Sequence, residues 1–249
     1  MSRQFGNQDE RSTKTGYQKA FEKYGDSPNS MQWWGDRINI RYSRLIRFLP
    51  KKECRFLDIG CGLARFNDYY PLVCGENTIY SYLGVDFVPE FIETAKNKYH
   101  RKGVDFLCGD LDQPDIYQDI KNWNPEWGMA SGIFNTPAYP DKNECYDFML
   151  STMKRCFDLC SIGVSFNFKT DQADYMKEMV AYHSPLKILE WAYSLTKNVV
   201  YDNSYMPFEA TISLFKDDSF SEEMCFNNFM ERHHIEFENG IFVAEKRKK

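Results

Sequence analysis

Long apolar runs are missing from this chain of 249 residues. No stretch approaches the roughly 20 residues that span a bilayer, and no basic-plus-apolar leader opens it, so a soluble cytoplasmic protein without a membrane partner is expected. An excess of positive charge is missing too. With 31 Lys and Arg against 36 Asp and Glu, the net charge of -5 offers no field for a phosphate backbone, which argues against nucleic acid as the partner. Histidine is scarce, at four, and the eight cysteines form no C-x-x-C pair. That spacing excludes a zinc-ribbon type of site, and no metal is expected. Cys54, Cys61 and Cys108 fall in or beside apolar runs of strand length and read as core thiols.

What the chain does have is one organising stretch, Phe56-Leu57-Asp58-Ile59-Gly60-Cys61-Gly62-Leu63-Ala64. An apolar run ends on a carboxylate and breaks into closely spaced glycines, the pattern of a buried strand, a tight turn and a helix start. Gly60 and Gly62 let the backbone approach a ligand at the carboxyl end of a strand. A dinucleotide fingerprint wants glycine where Arg65 stands, for close packing of helix on strand, and a phosphate loop wants a Gly-Lys-Ser/Thr ending that is not here. What remains is acid-x-Gly-x-Gly-x-small.

Three further strands follow at intervals that suit parallel pairing. Tyr82 to Asp86 again ends on an acid, and an acid at the end of a second strand offers two acceptors to the two hydroxyls of a ribose. Capping the next helix is the alternative role for Asp86, since Pro89, Phe91, Ile92, Ala95 and Tyr99 continue at helical spacing. Val104 to Cys108 is followed by Gly109-Asp110-Leu111, and Trp127 to Phe134 carries small residues at Ser131 and Gly132. Helices are expected over 17–24, 33–49, 65–70, 144–158 and 186–195, the third stopped by Pro71. A fifth strand runs through Ile162 to Phe168, and Val199 to Asn203 with Thr211 to Phe215 form an antiparallel hairpin around Pro207.

This set of motifs resembles the class I S-adenosylmethionine-dependent methyltransferases, over about Met31 to Lys216. The segments 29–34 with Arg41, 131–135, and the hairpin residues Asp202, Tyr205, Pro207 and Glu209 further resemble a bacterial small-molecule subgroup associated with surface-polysaccharide and secondary-metabolite pathways. The resemblance implies an α/β fold: a Rossmann-like seven-stranded sheet, mostly parallel with an antiparallel terminal hairpin and helices on both faces. Residues 1–30 then form a polar tail and cap, 31–216 the methyltransferase domain, and 217–249 a helical extension packed on it.

It also implies S-adenosylmethionine as cofactor, with S-adenosylhomocysteine as product, held by Trp34, Asp58, Gly60, Gly62, Asp86, Phe87, Asp110, Leu111, Ser131 and Gly132. Arg41 lies at the edge of the apolar face of its helix, so it needs an anion. Either a buried Asp or Glu or the carboxylate of the cofactor's methionine moiety would serve. Trp33, Asn135, Asn167 and Tyr205 are expected at a small polar methyl acceptor, in a monomer or homodimer. His183, Asp171 and Glu209 are the candidate bases, since they fall in segments that cover the crevice. The implied activity is O-methylation of a sugar, sugar nucleotide or capsule precursor. An RNA or protein methyltransferase, and a non-catalytic module that only binds the cofactor, are the alternatives.

Overall fold

A computed structural model describes residues 12–32, 37–49, 53–74, 81–216, 235–238 and 241–244. Its centre is a seven-stranded sheet of order β3-β2-β1-β4-β5-β7-β6. The strands are β1 (Arg55–Ile59), β2 (Ser81–Asp86), β3 (Val104–Cys108), β4 (Trp127–Ala130), β5 (Gly163–Lys169), β6 (Val199–Met206) and β7 (Glu209–Phe215). The first five pair in parallel, and β7 runs antiparallel to both its neighbours. The expected fold is therefore present, hairpin included.

Strands β1, β4 and β7 are buried along almost their whole length, which is why they read as continuous apolar runs and not as alternation. β3 is an edge strand that buries Val104 and Phe106 on one face, and Cys108, on that same face at the end of the strand, is exposed, not a core thiol as expected. Among the described residues six helices cover the sheet. On one face α2 (Arg37–Leu45), α3 (Phe66–Cys74) and α4 (Pro89–Lys98) supply Tyr42, Leu45, Phe66, Tyr70, Ile92 and Ala95 to one core. On the other α5 (Pro114–Trp123), α6 (Lys142–Leu159) and α7 (Pro185–Leu195) bury Ile120, Met149, Met153 and Ile188. The winding direction reverses between β1 and β4. That reversal opens a crevice outside the carboxyl ends of these two strands, where open α/β sheets bind ligands.

Several local expectations shift. Helix α3 runs through Pro71 to Cys74, because a proline at its sixth residue removes a single intrahelical bond and the flanking aromatics hold the turn. Phe66 at its start stacks on Phe56 of β1, with ring centroids 4.7 Å apart. The helix expected over 33–49 is formed over Arg37–Leu45, and α5 was not expected at all. A helix α1 (Ser12–Tyr24) begins five residues before the expected Tyr17, inside the stretch read as a tail. A 3-10 turn over Pro28–Met31 follows it, capped by the Ser27 side chain. The hairpin β8 (Ile235–Glu238) with β9 (Ile241–Ala244) stands where the helical extension was expected to end, and 220–234 lie outside the described residues. Among the described residues no helix is long and apolar enough to cross a membrane.

Candidate active site

The floor of the crevice is the turn after β1. Gly60 (φ 68°) and Gly62 (φ 55°) occupy the left-handed region, which side chains resist. Space forbids a side chain as well: a Cβ on Gly60 would lie 2.1 Å from Ile133 Cγ2, and one on Gly62 would lie 2.6 Å from Met31 Sδ. Ala64 also takes a positive φ, 53°, at the position where the related families often carry glycine. The Gly60 amide donates to Val85 O at 2.8 Å, which ties the turn to β2.

Three carboxylates converge on this turn. Asp58, in β1, accepts the Tyr82 hydroxyl at 2.8 Å. Asp86, the last residue of β2, accepts the Gly62 amide at 2.8 Å on one oxygen and the Val88 amide at 2.9 Å on the other. It thus braces both turns, while Val88 takes the N-cap position of α4 that had been the alternative role for Asp86. Each carboxylate oxygen keeps further acceptor capacity for a ligand hydroxyl. Asp110, after β3, accepts the Asp112 amide at 3.3 Å.

Burial sets the protonation of the first two. Desolvation pushes the Asp58 carboxyl up to about 7, against the lowering effect of the Tyr82 hydrogen bond and with help from the neighbouring Asp86 charge. Desolvation also pushes Asp86 up to about 6, restrained by the amides of Val88 and Gly62 and reinforced by Asp110.

The cleft, counting its open mouth, spans about 1020 Å³. Nine of the residues expected to hold a cofactor line it: Asp58, Gly60 and Gly62 from the first turn, Asp86 and Phe87 from the second, Asp110 and Leu111 from the third, Ser131 and Gly132 from the exit of β4. Two lining hydroxyls, Ser131 Oγ and Thr152 Oγ1, are buried without a hydrogen-bond partner among the described residues. Such orphans cost about 1–3 kcal/mol each, so a polar ligand between them has a function to fill. The three acceptors, the close backbone and the orphaned hydroxyls suit a nucleoside with a charged tail.

Other expected residues lie elsewhere. Arg41 finds its anion within the chain, since its Nε and Nη2 each donate to Glu209 at 2.7 Å, and this pairing occupies the groups expected to meet a ligand carboxylate. Glu209 is wholly buried and also accepts from Asn167 Nδ2 at 2.9 Å and Lys169 Nζ at 3.1 Å. A carboxylate so engaged, away from the cleft lining, is a clamp and not a proton acceptor. Asn167 donates to Glu209 and accepts from the Gly132 amide, and it does not line the cleft.

His183 is buried beside Phe168, with Nε2 3.1 Å from the Phe134 carbonyl, and desolvation lowers its pKa. Neither it nor Asp171 lines the cleft, because the strand-like bridge between Thr170 and His183 folds their segment against the end of β5. Tyr205 bonds Thr211 at 2.9 Å on the hairpin, and Asn135 follows the β4 exit just outside the lining. Trp33 and Trp34 lie outside the described residues.

Sequence reasoning missed the roof and the back wall. Tyr17 of α1 and Met31 of the 3-10 turn line the cleft, as does Thr136, with which the Tyr17 side chain interacts. Tyr17 and Phe21 meet Phe91 edge-on, at 6.1 and 5.7 Å between centroids. Phe148 and Thr152 of α6 form the back. Helical period places these residues on an apolar face, which is the signature of core, and carries no sign that the face opens on a ligand.

Residues 57–120 match the family model described as a methyltransferase domain, a stretch that spans the three carboxylate turns and α5. No curated protein sequence matches the chain. Among solved structures, magnesium protoporphyrin IX methyltransferase from Synechocystis PCC 6803 with bound SAH is similar, with TM-score 0.52 and 10% identity over 82% of this chain and 94% of that one. The pyocyanin biosynthetic protein PhzM is similar at TM-score 0.53 and 11% identity, over 81% of this chain and 62% of that one. The CurJ carbon methyltransferase gives 0.51 and 13%, over 82% and 59%. At these identities the likeness is one of fold. The family match covers the glycine turn and its acids, about a quarter of the chain, and is to a methyltransferase domain.

Proposed function

We propose that this enzyme is an S-adenosylmethionine-dependent methyltransferase that O-methylates a polar small molecule of the sugar, sugar-nucleotide or capsule-precursor class. One observation carries the reading: three carboxylates at the ends of three successive parallel strands meet around a turn with no room for a Cβ. Two of the structurally similar proteins support this reading, since their names describe methyltransferases and one holds SAH.

When bound, the cofactor supplies a methyl group already activated on a sulfonium. The chain's own residues then bind and orient. Asp86 would accept from the ribose hydroxyls, and Asp110 with the following main chain would meet the edge of the base. The Gly60–Gly62 backbone would lie against the tail, with Ser131 and Gly132 beside the reacting carbon. Tyr17, Met31 and Phe87 line the cleft and would pack against the cofactor, which leaves its open mouth for a small acceptor. Holding donor and acceptor in line accounts for about 7–11 kcal/mol of barrier in well-oriented systems, so positioning is the main contribution asked of the protein.

Calorimetric titration of S-adenosylhomocysteine into the wild type and into Asp86→Ala tests the cofactor half. Micromolar binding that the substitution weakens at least tenfold supports it, and absence of binding to folded wild type overturns it. Methyl transfer from radiolabelled S-adenosylmethionine to a panel of sugars and sugar nucleotides tests the acceptor half. Binding without any transfer to small molecules would favour the polymer-modifying or purely binding alternatives.

A further inference from the structure

The Gly132 amide, at the mouth of the cleft, donates to Asn167 Oδ1 at 2.7 Å. Asn167 is completely buried on β5, and its other amide group donates to Glu209 Oε1. A carboxylate flanked by two cations has only acceptors to offer. Arg41 from α2 and Lys169, the cross-strand partner of Glu209, thereby fix which end of the Asn167 amide faces which neighbour. Nδ2 must point to Glu209, so Oδ1 must point to Gly132.

The peptide between Ser131 and Gly132 is trans and planar, so its carbonyl points opposite to its N–H. The N–H faces β5, and β4 is flanked on its other side by β1. The Ser131 carbonyl is therefore aimed away from β5, toward the Gly60 turn, across a cleft that both residues line. Its dipole presents the negative end to whatever lies there.

We propose that Asn167 and Glu209, backed by Arg41, are positioning residues that aim the Ser131 carbonyl at the cationic amino-acid end of the bound cofactor. The inference rests on the cofactor reading above and assigns to this buried network a role in ligand selection. A hydrocarbon wedge of equal volume would fill the same space and leave the peptide free to turn. The polar chain, running from α2 through β7 and β5 to the exit of β4, makes its orientation single-valued.

The test compares two probes that share adenosine and a thioether: S-adenosylhomocysteine, which carries the ammonium, and 5′-methylthioadenosine, which does not. Dissociation constants are measured calorimetrically for the wild type, for Asn167→Asp, which sets a second carboxylate against Glu209, and for Glu209→Gln, which releases the Asn167 amide to turn. The expected result is at least a tenfold loss for S-adenosylhomocysteine and less than a twofold change for 5′-methylthioadenosine, in whichever variants fold. Equal losses for both probes, or no loss for either, would overturn the proposal and leave the network a structural support. Failure of both variants to fold would overturn it in the same way, since the network would then be a folding requirement. A wild type that binds neither probe defeats the cofactor reading itself, and so is told apart from a wild type that binds both but loses no selectivity in the variants.

Discussion

Arg41 and Glu209, 168 positions apart, close a two-bond ion pair at 2.7 Å on each arm, with the carboxylate wholly buried and the arginine at 9% exposure. The pair fastens α2 to the head of the antiparallel strand β7. Its partners Asn167 and Lys169 make it a four-residue cluster where β5 meets β7.

Removing one member of a buried pair leaves the other charged and desolvated. Arg41→Ala should therefore destabilise the protein by about 3–5 kcal/mol, read from urea unfolding midpoints. Lys154→Ala, which breaks an exposed i,i+4 pair with Asp158, should change stability by about 0.5 kcal/mol or less. Similar small effects of both substitutions would refute the buried-clamp account.

Asp86 must be ionised to accept from two ribose hydroxyls. Its carboxyl titrates at about 6 in the free protein, so S-adenosylhomocysteine should bind with constant affinity near pH 8 and progressively more weakly below about pH 6. Titrations between pH 8 and pH 5 check this. Affinity that rises on acidification would contradict the assigned role.

Asp58 has a folded pKa of about 7 against an ordinary 3.8, so the folded state holds its proton more tightly than the unfolded one. Between these values the unfolded chain binds fewer protons, and stability from this group is full below about pH 4 and lost as pH rises through about 7. Asp58→Asn keeps an acceptor for Tyr82 and removes the charge. Its stability relative to the wild type, without ligand, should rise from pH 4 to pH 7 by an amount on the order of 3–4 kcal/mol and then level off. A pH-independent difference between the two would show that burial does not perturb Asp58.

Gly60→Ala places a methyl group where Ile133 Cγ2 already sits and forces alanine to φ 68°. The substitution should cost about 2–4 kcal/mol and abolish S-adenosylhomocysteine binding. Adding Ile133→Ala should relieve the clash but not the backbone strain, so thermal stability should recover only in part. Complete recovery would mean that space alone dictates glycine there.

Tyr17 of α1 and Thr136 both line the cleft, and a hydrogen bond between their hydroxyls would tie α1 down over it. Tyr17→Phe keeps the ring against Phe91 and removes the bond, which is worth about 1 kcal/mol, so S-adenosylhomocysteine should dissociate roughly fivefold faster in stopped-flow displacement. An unchanged dissociation rate would place the exit path elsewhere.

The cofactor half of the cleft was legible because its signals are local. An acid at the end of a buried run, two glycines and a small residue are neighbours in the chain, and their repetition at Asp86 and Asp110 reads as one sheet edge. The acceptor half was not. Arg41 announced only that it needed an anion, and nothing in the spacing of Glu209 or Asn167 separated a proton acceptor or ligand contact from a clamp. Helix α1 was hidden because Gly16 and a polar composition suppress the helical pattern before Tyr17, whereas packing of Tyr17 and Phe21 on Phe91 supplies the stability that propensity does not.

Periodicity and strand-end chemistry, both properties of adjacent residues, determined from the sequence alone the succession of the seven sheet strands, the glycine turn and the acids that ring it. Tertiary structure decided which charges meet each other and which meet the cleft. A buried charge is satisfied by whatever partner three-dimensional packing brings within hydrogen-bond reach, and sequence separation places no limit on that choice.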